Sequence, residues 1–281
     1  MATAPRFAPP LGLALPLGIF FLFFVFAPML LLGWISLHDD PGMAQMGIGQ
    51  YAKFLGDGFN LGVLGSTLWL GLKVTALSLL IGFPLAYLYT QAPARWQSML
   101  MLLIVLPLLT SSVVRTFAWV VILGRQGIVN TVLLDWGLVA EPLKLLYTPG
   151  GVTVALAQIE LPLMVLPLIT ALQKLDPNLQ DASSALGASA LRTFVKITLP
   201  LTLPGIVAGC LLTFAASITA FISQSLIGGG QMLFMPMYIY QQASSLQNWP
   251  FAAAISLVFL VAVMACVSVF SFLGRLSRAS A

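Results

Sequence analysis

Residues 181–200 read DASSALGASALRTFVKITLP, a mildly polar stretch between two strongly apolar segments. Just before it, Asp176 and Pro177 favour the start of a helix, because Asp caps helices and Pro is tolerated in the first turn. Gly187 stands where a left-handed residue would end that helix, and Ser189 is suited to cap a second one. The stretch therefore predicts two short helices that meet at a glycine corner.

Each short helix is predicted to have an apolar face. In the first helix Leu179, Ala182 and Leu186 recur at helical spacing, and in the second Leu191 and Phe194 belong to a similar face. Such a stretch is either a surface loop that shields the rest of the chain or a docking site for a partner protein. The residues alone favour neither hypothesis.

The composition on both sides of this stretch excludes a soluble protein. The chain has 281 residues, of which 59% are hydrophobic and 7% are charged, and its mean hydropathy is +1.01. Soluble domains carry about 25% charged residues, so this chain lacks the surface that a soluble fold needs. The net charge of +4 does not indicate a nucleic-acid partner, because the 12 basic residues are scattered. We expect an all-α, polytopic membrane protein.

Six apolar segments are long enough to cross a bilayer as transmembrane helices, which takes about 20 residues each. They lie at about 15–37, 63–90, 97–123, 150–172, 200–226 and 251–273. The first apolar run exceeds the roughly 7–15 apolar residues of a signal peptide, so we expect it to remain as a helix. The spans form one predicted domain, 1–281, and the stretch quoted above lies in its loop 173–199.

Lysine and arginine residues indicate the orientation of the spans. An even number of spans places both termini on one side, and cytoplasmic loops carry an excess of basic residues. With the termini inside, seven basic residues are cytoplasmic and three are external. The seven are Arg6, Arg95, Lys174, Arg192, Lys196, Arg275 and Arg278, and the three are Lys53, Arg125 and Lys144. We therefore expect cytoplasmic termini and a cytoplasmic loop 173–199.

The spacing within this loop resembles a motif of one transporter family. Membrane subunits of bacterial ABC importers carry the EAA motif, which reads E-A-A, three residues, Gly, nine residues and I-x-L-P. Here Asp181-Ala182-Ser183 is followed after three residues by Gly187, and after nine more by Ile197-Thr198-Leu199-Pro200. Glu is replaced by Asp and one Ala by Ser, and both changes are small. The resemblance implies that the loop is the coupling helix, which docks on an ATP-hydrolysing subunit. Its coupling residues would be Asp181, Ala182, Ser183, Ser184, Gly187, Ile197, Leu199 and Pro200.

Further short motifs resemble the spermidine/putrescine importer permeases, in particular their B-type subunit. They are Arg115-Thr116-Phe117-Ala118-Trp119, Gly127-Ile128-Val129-Asn130, Tyr147-Thr148-Pro149, Leu161-Pro162, Leu166-Pro167-Leu168 and Asn248-Trp249-Pro250-Phe251. Because each motif is short, their order and spacing carry the resemblance. It implies a type I ABC importer permease fold in a bacterial cytoplasmic membrane, with a small organic cation, above all a polyamine, as the substrate.

The resemblance also implies a set of partners. These are a homologous second permease, two ATP-binding subunits that hold ATP and Mg, and an external substrate-binding protein that docks on the loops 38–60, 124–149 and 227–250. The chain contains no G-x-x-x-x-G-K-[ST] loop, so we expect neither ATP hydrolysis nor a cofactor in it. Leu226–Gln231 resembles the L-S-G-G-Q signature of the ATPases but lacks its Ser, and we interpret it as a flexible outer turn.

Other functions stay open at this point. The substrate of such a permease is alternatively an opine, 4-aminobutyrate or an aminophosphonate. An ion-coupled secondary transporter is a second alternative, but such folds often show inverted repeats, and this sequence shows none. With His38 as the only histidine, the sequence offers no catalytic triad and no zinc site.

Three charged residues fall inside the predicted spans, where a charge costs roughly 2.5–3.5 kcal/mol on insertion scales. Glu160 either faces the translocation pathway and attracts a cationic substrate, or pairs with Lys73 or Arg115 to hold the bundle together. Lys73 and Arg115 are interpreted as structural charges. Aromatic side chains are further candidates for the pathway, because an ammonium group binds the face of an aromatic ring. The candidates are Phe117, Trp119, Phe221 and Tyr238.

Overall fold

The computed structural model describes residues 11–279, and it describes the side chains of residues 15–274 apart from positions 177, 180, 181, 184 and 273. Every regular secondary-structure element in this range is a helix, which confirms the all-α prediction. The helices are α1 (Leu11–Phe21), α2 (Ala27–Ser36), α3 (Gly49–Gly56), α4 (Gly58–Gln91), α5 (Ala94–Val105), α6 (Ser112–Leu123), α7 (Ile128–Asp135), α8 (Pro149–Gln173), α9 (Pro177–Ala185), α10 (Ala190–Thr193), α11 (Leu199–Thr219), α12 (Phe221–Gly228), α13 (Met235–Tyr240) and α14 (Trp249–Ala279).

Six helical segments are long and apolar enough to cross a membrane, as predicted. They are Leu15–Ser36, Gly58–Gln91, Ser112–Asp135, Pro149–Gln173, Ala190–Thr219 and Trp249–Phe272. A shorter apolar helix, Ala94–Leu109, precedes the third of them. The number of spans is therefore readable from hydropathy. The bounds of the third and fifth spans differ from the predicted 97–123 and 200–226, and the fifth begins at Ala190, inside the predicted loop 173–199.

The predicted span 97–123 is broken in its middle. Helix α5 ends at Val105, a tight 3₁₀ turn covers Leu106–Leu109, and Thr110 has an extended backbone (φ −98°, ψ 146°) before α6 begins. Pro107 lies in the turn, where it supplies no backbone N–H for a helical hydrogen bond. The hydroxyl of Thr110 donates to the carbonyl of Pro107 at 2.8 Å, which holds the turn closed.

The predicted span 200–226 is also interrupted. Helix α11 ends at Thr219, and Ala220 leaves the helical region with φ −71° and ψ 62°. Helix α12 then begins at Phe221, and the amide of Gln224 donates to the Ala220 carbonyl at 2.9 Å. The chain therefore changes direction within the apolar segment rather than continuing as one helix.

Two compact units divide the chain. The smaller one comprises Met1–Asn60 and Ile239–Leu260, and the larger one comprises Leu61–Tyr238 and Val261–Ala281. In the smaller unit the ammonium of Lys53 lies 4.7 Å from the ring centre of Phe251. The candidate coupling and pathway residues all belong to the larger unit. The single domain predicted for 1–281 stays a prediction.

Helices α8 and α11 form the central pair of the larger unit and approach each other closely. A side-chain carbon added at Gly205 would lie 2.8 Å from the carbonyl oxygen of Pro167, and one added at Gly209 would lie 2.8 Å from the sulfur of Met164. Small residues at such contacts let two membrane helices pack backbone against backbone. The loop that joins α8 to α11 is therefore attached at both ends to one tightly packed pair.

Candidate functional site

The first short helix of the loop between α8 and α11, α9, has defined ends. It begins after Asp176, whose carboxylate accepts a hydrogen bond of 3.0 Å from the backbone amide of Asn178. It ends at Ala185, and Gly187, two residues on, has φ +77°. The amide of Ala188 reaches back to the carbonyl of Ser183 at 3.1 Å, the closing bond of a Schellman motif. The predicted glycine corner is confirmed.

The second short helix, α10, is capped and tied to the first. The hydroxyl of Ser189 accepts from the amide of Arg192 at 3.4 Å, which is the predicted cap. The hydroxyls of Ser183 and Thr193 lie 2.8 Å apart in a buried hydrogen bond. Because this bond links α9 to α10 across the corner, the two short helices hold each other in place.

The outer surface of the loop is apolar. Leu186 is 88% exposed, Leu191 is 73% exposed and Val195 is 50% exposed. Leucine side chains this exposed beside two short helices are typical of a surface that a partner covers. The motif-based prediction of coupling residues omitted all three, although each lies on an apolar face that the helical spacing predicts.

The motif residues themselves have different surroundings. Ala182 is exposed and Ser183 is buried, while Ile197, Leu199 and Pro200 are half-buried where the loop enters α11. The side chains of Asp181 and Ser184 lie outside the described residues. Gly187 and Ser183 thus shape the loop, and the exposed surface is supplied by their neighbours.

An aromatic contact fastens the loop to α4. The ring of Phe194 meets Phe83 edge-on with centroids 5.5 Å apart, and it meets Tyr87 at 6.1 Å. A π-helical turn, Phe194–Thr198, carries the chain from α10 into α11 without a break. A displacement of the loop is therefore transmitted to α4 as well as to the pair α8 and α11.

Two of the three charged residues within the spans, Arg115 on α6 and Glu160 on α8, lie near the contact of these helices. Arg115 donates from Nη1 to the carbonyl of Ile159 at 2.9 Å, while its buried Nε has no hydrogen-bond partner. Glu160, the next residue along α8, is half-buried, and the charge of Arg115 acts on it. Within the described part of the chain, Glu160 forms no direct ion pair with Arg115 or Lys73. Lys73 lies instead in a separate cavity of about 330 Å³ that Trp69 and Phe234 also line.

One pathway candidate, Trp119, has a partner that the sequence did not suggest. Its indole Nε1 donates to the side-chain oxygen of Gln158 at 2.9 Å. Gln158 is exposed although it lies well inside the apolar span α8. Its amide was the available signal, since it is one of few polar side chains within that span.

The remaining aromatic candidates occupy different helices. Phe117 on α6 is 54% exposed, Phe221 opens α12 and is half-buried, and Tyr238 on α13 is buried. A buried hydrogen bond of 2.7 Å between the hydroxyls of Thr116 and Ser223 joins α6 to α12.

The loops between α6 and α8 enclose a basic cavity. A cavity of about 400 Å³ is lined by Arg125, Lys144 and Tyr147 among others, and Lys144 donates to the side-chain oxygen of Gln231 at 3.1 Å. Gly229, in the run interpreted as a flexible turn, has φ +60°, and a side-chain carbon there would lie 2.6 Å from the Tyr147 ring. The glycine therefore allows a close contact with Tyr147.

Comparison with known families gives this arrangement a context. Residues 78–279 match the family described as "Binding-protein-dependent transport system inner membrane component". The chain belongs to this family. It is thus a multi-pass inner membrane component of a transport system that depends on a binding protein, and we refer to it below as the permease.

Individual relatives agree with this assignment. The permease is 35% identical over 242 residues to the spermidine/putrescine transport system permease protein PotB of Salmonella typhimurium, covering 85% of this chain and 84% of that protein. It is 37% identical over 196 residues to PotB of Haemophilus influenzae, covering 70% and 68%. The resemblance to this family is confirmed.

Solved structures confirm the fold. A bacterial ABC transporter involved in the import of the acidic polysaccharide alginate superimposes with a TM-score of 0.76 at 20% identity, covering 94% of each chain. The predicted ABC importer permease fold is therefore the observed one. At this identity the likeness concerns the fold and not the transported molecule.

Proposed function

We propose that the permease is a membrane-spanning subunit of an ATP-driven ABC importer for a polyamine of the spermidine or putrescine type. The observation that carries this proposal is the 35% identity to a spermidine/putrescine permease, because it extends over 85% of the chain and 84% of the relative. An opine, 4-aminobutyrate or an aminophosphonate is the alternative substrate within the same mechanism. An ion-coupled transporter would leave the cytoplasmic loop without a role.

ATPase subunits dock, in this proposal, on the exposed apolar surface of Leu186, Leu191 and Val195. The chain itself binds neither ATP nor a metal, and two partner subunits supply ATP and Mg. The glycine corner and the Ser183–Thr193 bond give the loop a fixed shape, so the partner meets a preformed surface. Preformed surfaces bind without a large cost for ordering the loop.

The remaining partners follow from the same scheme. A homologous second permease completes the pathway, and an external binding protein delivers substrate to the outer loops, where the basic cavity of Arg125 and Lys144 lies. Both termini are cytoplasmic. ATP binding closes the ATPase pair, and the loop passes that movement to α4 through Phe194 and to the packed helices α8 and α11. ATP drives the cycle because it binds the closed state more tightly than the open one.

Copurification of the permease with its ATPase tests the docking surface. A Leu186→Asp variant should lose the ATPase, because a charge replaces an apolar contact in the interface. The matched control is Leu138→Asp, which changes a leucine that is 64% exposed in a loop assigned to the outer side. Equal retention of the ATPase by both variants would contradict the docking site.

Uptake by the complete importer in proteoliposomes tests the substrate. Labelled spermidine or putrescine should accumulate in the presence of ATP and the loaded binding protein. Accumulation of 4-aminobutyrate with no response to polyamines would assign the permease to the alternative substrate class.

A further inference from the structure

Gln158 presents an amide at the surface of a membrane-spanning helix. It lies nine residues from Pro149, the outer end of α8, which is roughly 14 Å along the helix axis and well inside the bilayer. Its side chain is nevertheless exposed. Because an amide is strongly disfavoured in hydrocarbon, this face of α8 must look onto water or protein rather than lipid.

A stretch of non-helical backbone lies at a similar depth. Thr110 and Ser111 are extended and exposed between α5 and α6. In a bilayer such backbone is tolerated only where it is buried in protein or lines a water-filled cavity, since its peptide groups need hydrogen-bond partners. The break in the third span therefore also faces away from lipid.

The two features lie next to each other. Gln158 and Pro107, which belongs to the turn at the break, line the same small cavity of about 140 Å³ together with apolar residues. Trp119 joins them through its 2.9 Å hydrogen bond to Gln158. The exposed amide of Gln158 and the non-helical backbone at the break are both unsuited to contact with lipid, and they lie at the same cavity.

The chemistry of this place favours a cation. Because the indole N–H is only a donor, the amide group directs its oxygen to Trp119, and that oxygen keeps a second lone pair for another donor. Trp119 is only partly buried, although it packs against the neighbouring apolar cluster, and an aromatic face binds an ammonium group where it is accessible.

We propose that Gln158 and Trp119, beside the broken third span, contact an ammonium group of the substrate as it passes along the translocation pathway. This inference rests on the proposed polyamine import. The site carries no charge. A substrate must bind a site in the pathway strongly enough to enter it and weakly enough to leave it, so an uncharged site suits transport.

Glu160 is not part of this site. Residues two apart on a helix point in directions about 200° apart, so Glu160 and Gln158 face different sides of α8. The carboxylate and the amide are therefore separate groups of α8, and only the amide lines the cavity beside the break.

Thiol accessibility tests whether Gln158 faces water. In a background in which Cys210 and Cys266 are replaced by alanine, the Gln158→Cys variant should react with a membrane-impermeant thiosulfonate, and spermidine should slow the reaction. The control is Leu80→Cys, since Leu80 is 72% exposed within α4 and should face lipid. Reaction as slow as that of the control, or reaction that spermidine leaves unchanged, would overturn the proposal.

Transport kinetics test the contact itself. In the complete importer, Gln158→Leu should raise the KM for spermidine uptake about ten- to a hundredfold, the range for losing a hydrogen bond to a charged group. Trp119→Phe, which keeps an aromatic face but loses the N–H, should raise it less. An unchanged KM in Gln158→Leu would refute the inference.

ATPase activity separates this outcome from failure of the proposed function. The parent complex should hydrolyse ATP faster when polyamine-loaded binding protein is added, and Gln158→Leu should retain that response, because loading occurs outside the membrane. If the parent complex does not respond, polyamine import is the wrong function. If it responds and the KM is unchanged by the substitution, only the site is wrong.

Discussion

Replacing Gly187 by alanine tests whether the corner between α9 and α10 requires a residue in the left-handed conformation. Gly187 has φ +77°, and a side-chain carbon there would meet no atom within 4 Å, so the substitution adds no steric contact. The left-handed conformation alone costs an alanine about 1–2 kcal/mol. Helices of nine and four residues are too short to form by themselves, so the loop has little stability of its own to absorb this cost.

The expected result is a weaker complex with the ATPase. If the cost falls entirely on the docking-competent loop, the Kd of the permease for the ATPase rises about five- to thirtyfold. Titration of detergent-solubilised permease with purified ATPase measures this directly. Gly187→Asn should lose less affinity than Gly187→Ala, because asparagine tolerates the left-handed region better.

The control for this experiment is Gly150→Ala. Gly150 also has open space around it, but it lies in the first turn of α8 without a positive φ, so alanine fits there. Equal affinities of the two alanine variants would refute the conformational reasoning, and so would an asparagine variant no better than alanine at Gly187.

Three further predictions concern stability and charge. Gly205→Ala should lower the Tm of the purified permease, because the added carbon meets the α8 backbone and overpacking costs about 1–3 kcal/mol. The control is Gly62→Ala, which should leave the Tm unchanged because Gly62 has open space around it. The same Tm for both variants would contradict the close packing of α8 and α11. Glu160→Gln should weaken the purified complex in thermal denaturation while the KM for uptake stays unchanged, and the opposite pattern would place Glu160 in the pathway. Hydrogen bonds from the amides of Gln45 and Ala44 hold the pKa of Asp40 below its ordinary value of 3.8, so this loop keeps its stabilisation above that pH and loses it as the pH falls through the lowered value. The protection factors of those amides, which are exchange rates corrected for the intrinsic pH dependence, should therefore fall only in strong acid. Protection factors that do not change with pH would refute the role of Asp40.

The shape of the loop between α8 and α11 was predictable, because the residues that determine it act on the nearby backbone. Asp176, Gly187 and Ser189 each act on the backbone within a few residues, as caps and as a left-handed corner. Such effects do not depend on the remaining fold, so sequence spacing was sufficient. The exposure of Leu186 and Leu191 was harder to predict, since an apolar helix face ordinarily packs inward and only the absence of a covering element reveals a docking surface.

The breaks within the spans were not predictable from the same kind of signal. Proline is tolerated in membrane helices, so Pro107 indicates a kink but not an extended segment after it. At Ala220 the sequence carries no breaker at all. The helices that follow the two interruptions, α6 and α12, are joined by a hydrogen bond between the hydroxyls of Thr116 and Ser223, and sequence spacing does not reveal such a distant contact.

The site around Gln158 was also not predictable, because it depends on contacts between residues that are distant in the sequence. The sequence identified Trp119 and the charged residues as candidates, but it could not show that the indole meets an amide 39 positions away. The relation between Glu160 and Arg115 was likewise left open as pathway or pairing. In the structure the guanidinium donates to a backbone carbonyl, a solution that hydropathy and charge patterns do not encode.

The exposed leucines of the loop between α8 and α11 have a consequence for how cells produce this subunit. In the proposed importer, a permease made without its ATPase leaves Leu186 and Leu191 uncovered. Exposed apolar surface of this kind promotes aggregation and attracts chaperones and proteases. With docking as proposed, orphan copies would be marked for removal by the same surface that recruits the partner, and the stoichiometry of the assembled importer would correct itself.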